Sequence, residues 1–110
     1  MQSSAAEWPQ RFWMRASAPL PDDDLVHACV LTYISDVSSG LGAFEQAELR
    51  ATTSLDHAAW FHRSARLDDW VLTDLVPHTL AGGRGWYTGS VFDREGRLVA
   101  SLAQEMLSRR

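Results

Sequence analysis

A chain of 110 residues, 45% hydrophobic and 22% charged, has room for one domain and one core, not two. Its formal charge of −4, with ten Arg and no Lys scattered among fourteen acids, excludes the basic patch that duplex nucleic acid requires. Eleven aromatic residues, five of them Trp, exclude a disordered chain, and a single Cys excludes an internal disulfide framework or a cysteine-rich zinc site.

Residues Met1–Gln10 are small and polar apart from Trp8, and are expected to be a flexible lead-in to a domain over residues 11–110. Arg11–Ala18 has a β-compatible centre at Phe12 and Trp13, ended by Pro19 and Pro21. Asp22, Asp23 and Asp24 then supply an N-cap and favourable charge for a helix that starts at Leu25 and runs to Val37. Val26, Cys29, Val30, Tyr33 and Val37 form one stripe, and Leu25, Ala28, Leu31 and Ile34 cover much of the rest. A helix apolar nearly all round is expected to be buried. Ser38, Ser39, Gly40 and Gly42 end it.

The second half reads as sheet. Leu49–Arg63 is a long β-capable run, Arg66–Asp69 a polar break, and Trp70–Thr79 the next strand. Gly82, Gly83 and Gly85 mark a boundary before the alternating Trp86–Phe92. Asp93-Arg94-Glu95-Gly96 reads as a hairpin turn into Leu98–Leu107. The expectation is an α+β domain in which one helix packs on one antiparallel sheet. No basic n-region precedes an apolar run, and no apolar stretch approaches about 18 residues, so neither a signal peptide nor a membrane span is expected. Composition and Cys usage fit a soluble cytoplasmic protein.

Four His, at 27, 57, 62 and 78, do not make a metal site by spacing. On a regular strand His57 and His62 fall on opposite faces, and His27 has no ligand partner one helical turn on. No metal is expected. Ser54, Asp56 and His57 are close in sequence, but strict alternation turns His57 away from Ser54 and groups Ser54 with Asp56, Ala58 and Trp60. No G-x-S-x-G elbow accompanies them. GGRG at 82–85 lacks the Lys-Ser/Thr of a phosphate loop and reads as a tight turn. Asp36, near the C-terminal end of an apolar helix, is badly placed for a structural carboxylate and well placed for a general base; it equally suits a cap of a following turn. Gln104 shares its strand face with Leu98, Ala100, Leu102 and Met106, where an amide must find partners. A base, a hydroxyl and an amide together could position one water.

The segments HACVLTYISD (27–36), TSLDHAAWFHR (53–63), DDWVL (68–72), GGRG (82–85) and FDREGRLVASLAQEML (92–107) closely resemble the C-terminal half of bacterial type II acyl-CoA thioesterases, over about Phe12 to Leu107. Members of that family carry two hotdog domains in one chain. The resemblance implies a single hotdog fold, a central helix wrapped by an antiparallel sheet, that pairs into a double hotdog. It implies a homodimer or higher homo-oligomer and an acyl-CoA substrate whose acyl chain enters an apolar channel. The family's catalytic residues match Asp36, Ser54 and Gln104, which would activate a water against the thioester without a cofactor. Gly82, Gly83 and Arg84 are the substrate-contact candidates. The alternatives are a non-catalytic hotdog subunit that binds acyl-CoA or a partner, and a hotdog hydratase.

Overall fold

The computed structural model describes residues 11–35 and 51–109, with side chains over 11–35 and 54–107. The lead-in Met1–Gln10 and the end of the expected helix, including Asp36, lie outside the described residues. The order of elements is as expected: β1 (Arg11–Met14), α1 (Asp24–Ser35), β2 (Ala51–Phe61), β3 (Val71–Ala81), β4 (Arg84–Phe92) and β5 (Leu98–Arg109). Asp23 is the N-cap of α1, its Oδ1 accepting from the Leu25 N–H at 2.9 Å, and Asp24 adds negative charge to the first turn.

All strand pairs are antiparallel, in the order β1-β3-β4-β5-β2. The centre is a meander. Gly82 and Gly83, with φ of 62° and 76°, form the two-residue hairpin tip between β3 and β4, a conformation that residues with a Cβ adopt poorly. The β4–β5 turn is built by Asp93, whose Oδ1 accepts from the Glu95 and Arg97 N–H groups, and Gly96 again takes positive φ. Pro77 is tolerated within β3 because β1 pairs only with residues 71–74, so among the described residues the strand's other edge is unpaired at that point.

One face of the sheet carries the core. Val71, Leu75, Tyr87, Val91, Leu102 and Met106 point to it and meet Leu31 of α1, with Val30 and Ile34 packed alongside. Burial of a side chain such as Leu31 contributes about 2 kcal/mol. The helix is not buried all round as expected. Only His27, Leu31 and Ser35 are buried, whereas Leu25 is 70% and Tyr33 74% exposed. One helix lying on one sheet has one face covered, and the apolar residues of the other face stay in solvent. The face assigned to β5 also needs one correction. A register shift near Phe92 sets Leu98 opposite Phe92, on the outer face, while Ala100, Leu102 and Met106 stay beside Gln104.

The polar break after β2 is a clasp. Arg66 donates to the Leu20 carbonyl and to the carboxylates of Asp68 and Asp22, and Asp68 Oδ2 also accepts from the Leu20 N–H at 2.8 Å. The Arg66 hydrogen bond and the Leu20 N–H lower the Asp68 pKa from 3.8 to about 2. The clasp therefore contributes fully above the ordinary Asp range and is lost as pH falls through about 2. Behind it, His27 is 3% exposed; its Nδ1 accepts from the Leu67 N–H and its Nε2 donates to the Pro21 carbonyl, both at 2.9 Å. An accepting Nδ1 places the ring proton on Nε2, so His27 is a neutral bridge between α1, the segment before it and the loop after β2.

Candidate active site

The site is made by a β-bulge. Ser54 opposes Met106 while Asp56 opposes Glu105, so Leu55 is an extra residue in β2 and the alternation of the strand is reset there. The consequence corrects the reading from strict alternation. Ser54 and His57 lie on the core face, with Ala59 and Phe61. Asp56, Ala58 and Trp60 are on the outer face, where Asp56 Oδ1 accepts from the Glu105 N–H at 3.1 Å. His62 does lie on the face opposite His57, as expected, with its Nε2 2.9 Å from Ser101 Oγ.

The register then sets three side chains in one row: Tyr87 of β4, Gln104 of β5 and His57 of β2. Directly opposite residues on antiparallel strands stand about 5 Å apart, so the row meets by construction. Gln104 is 1% exposed, and both ends of its amide are hydrogen-bonded. Its Oε1 accepts from the Tyr87 hydroxyl at 3.0 Å and is hydrogen-bonded to His57 Nδ1, while its Nε2 donates to Ser54 Oγ. On its far side His57 Nε2 lies 3.0 Å from Ser35 Oγ at the last turn of α1, and that hydroxyl is 2.8 Å from the Thr32 carbonyl oxygen. Gly85 and Gly89 flank Tyr87 on the same face of β4. The bare backbone at Gly89 leaves space for the packed Leu75 and Leu102 side chains, since a Cβ there would stand 2.6 Å from Leu75 Cδ2.

Of the expected site residues, the structure brings Ser54 and Gln104 into hydrogen-bond contact. Asp36 follows Ser35 in the sequence and lies outside the described residues. Gly82, Gly83 and Arg84 are not part of this cluster. They form the hairpin tip, and Arg84 points to the outer face, with its guanidinium 3.6 Å from Glu105. Sequence reading missed His57, Tyr87 and Ser35. The available signal was the demand of a buried Gln for partners, which points across the strand pairs to Tyr87 and His57 once the register is known. A cavity of about 240 Å³ lies farther along the α1–β2 seam, with Leu31, Phe61 and Val99 on its apolar side and Asp24, His62 and Arg63 on its polar side. Chemically, the row offers a hydroxyl and an amide donor held together at the edge strand, with the amide oxygen already occupied.

A helix packed on one face of a five-stranded antiparallel sheet in this order defines a hotdog domain. The profile of the acyl-CoA thioesterase C-terminal domain family matches residues 2–108. The chain belongs to that family. It is 35% identical over 109 residues to acyl-coenzyme A thioesterase 8 of Mus musculus, covering 94% of this chain and 34% of the relative. It is 34% identical over 107 residues to acyl-CoA thioesterase 2 of Haemophilus influenzae, covering 91% and 37%. Among solved structures, the acyl-CoA thioesterase II TesB2 of Mycobacterium marinum superposes with a TM-score of 0.81 at 40% identity, over 90% of this chain and 40% of that one. A tesB protein of Mycobacterium avium gives 0.84 at 30% identity, over 99% and 45%. The chain thus spans about a third of the length of these two sequence relatives.

Proposed function

We propose that the chain hydrolyses acyl-CoA to a free fatty acid and CoA, with Ser54 and Gln104 orienting a water and the thioester carbonyl and with Asp36 as general base. The observation that carries this reading is the buried Gln104 amide donating to Ser54 Oγ beside the end of α1. An amide and a neutral hydroxyl are poor bases near neutral pH, so the proton of the attacking water goes to the carboxylate. The donors stabilise charge developing on the carbonyl oxygen. The carbon–sulfur bond then breaks and the CoA thiolate leaves, taking up a proton.

The active form is a homodimer in this reading. Among the described residues β2 is an eleven-residue edge strand carrying half of the site, and α1 exposes Leu25 and Tyr33. A long edge and an apolar helix face both invite a second copy about a two-fold axis. Purified protein should release CoA thiol from short-, medium- or long-chain acyl-CoA at a solution mass of at least two chains. Asp36→Asn should lower the rate about 100-fold or more. A folded wild-type protein that hydrolyses none of the esters refutes hydrolysis, and a fully active Asp36→Asn refutes only the choice of base. A mass of one chain refutes the pairing.

A further inference from the structure

We propose that His57 is a positioning residue that selects which end of the Gln104 amide faces Ser54, and that Ser35 holds His57 in the tautomer this requires. The kinetic part rests on the hydrolysis reading above; the structural part does not.

A buried amide has two orientations of nearly identical shape, and its neighbours decide between them. In the row, Gln104 Oε1 lies between the Tyr87 hydroxyl and His57 Nδ1, and Nε2 faces Ser54. A carbonyl oxygen only accepts, so Tyr87 and His57 Nδ1 must both donate to it. With the amide reversed, the same two groups would have to accept from the NH₂ group. The tyrosine hydroxyl serves in either role. The imidazole does not: its Nδ1 accepts only when the ring proton sits on Nε2. The tautomer of His57 and the orientation of Gln104 are therefore one choice.

Ser35 biases that choice from the helix. Its hydroxyl is within hydrogen-bond distance of both the Thr32 carbonyl, at 2.8 Å, and His57 Nε2, at 3.0 Å. The hydroxyl has one proton: turned toward the ring, it gives up the Thr32 carbonyl, donates to Nε2 and keeps the ring proton on Nδ1, which keeps the NH₂ group of Gln104 toward Ser54. The reversed amide would present an oxygen where the reaction needs a donor. His57 thus acts through Gln104 and need not touch the substrate.

The test combines nitrogen-15 NMR of the His57 ring and of the Gln104 side-chain amide with kinetics, in wild type, His57→Leu, His57→Asn and Ser35→Ala. Wild type should show a proton on Nδ1, and the Gln104 amide protons should give Overhauser contacts to Ser54. His57→Leu should lose the single amide orientation and reduce kcat roughly 10- to 100-fold with KM nearly unchanged. His57→Asn, which places an amide donor near the position of Nδ1, should restore most of both. Ser35→Ala should shift the tautomer toward Nε2–H. A wild-type ring protonated only at Nε2, or an amide orientation unchanged in His57→Leu, overturns the proposal. Should His57→Leu fail to fold, the wild-type tautomer and Ser35→Ala decide it. Absence of hydrolysis by the wild type refutes the function alone, because the NMR comparison still rules on the positioning.

Discussion

Gln104→Glu should lower thioester hydrolysis about 100-fold or more while leaving the domain folded. The substitution preserves length and volume and keeps an acceptor for Tyr87 and His57, but replaces the NH₂ group that donates to Ser54. Loss of one preorganised donor at a reacting carbonyl typically removes about two to three orders of magnitude from kcat. Gln104→Leu should do as much to activity and also destabilise the fold. It removes the hydrogen bonds that the Tyr87 hydroxyl and His57 Nδ1 make to the Gln104 oxygen in a buried row, at about 1 kcal/mol for each bond lost. Thiol-release kinetics and thermal unfolding monitored by circular dichroism separate the two effects. Activity of Gln104→Glu close to that of wild type would show that the amide donor takes no part in the reaction.

The second large effect concerns stability. His27→Leu should reduce the unfolding free energy by about 2 to 4 kcal/mol, because an apolar residue of similar size removes an acceptor from the Leu67 N–H and a donor from the Pro21 carbonyl together. His27→Asn retains one polar group near the Nδ1 position and should fall between the two. Urea denaturation of the three proteins reads the difference directly. Activity per folded molecule should change little, since His27 lies at the other end of α1 from Ser35. A His27→Leu protein as stable as wild type would mean that the bridge is dispensable and that packing alone holds the loop after β2.

Much of the architecture is legible in the residues because each local signal agrees with the fold. The Asp run starts α1, Gly-Gly closes β3 onto β4, and Asp93 with Gly96 closes β4 onto β5. The order of strands in the sheet is not legible that way, since the partners of β1 and β2 lie far along the chain. The site divides similarly. The polar character of Gln104 on an apolar face marks it as needing partners, and the family motifs point to Ser54. His57 is hidden by a single extra residue. Period-two counting sends it to the wrong face, and nothing in the letters SLDH announces that Leu55 bulges. The helix errs in the other direction: its composition predicts burial on all sides, but one sheet covers one face only.

The unequal reach of the strand pairings has a kinetic meaning. β3, β4 and β5 join through short turns, whereas β2 meets β5 across a separation of 47 residues at His57 and Gln104. Loop-closure entropy favours early formation of the meander and late docking of the edge. Tyr87 and Gln104 are then already neighbours when Ser54 and His57 arrive. In reverse, β2 can peel from the edge while the meander stays paired, an opening far smaller than global unfolding. Such an event dismantles the hydrogen-bonded row without melting the domain, so the lifetime of that arrangement is set by the hold on one edge strand.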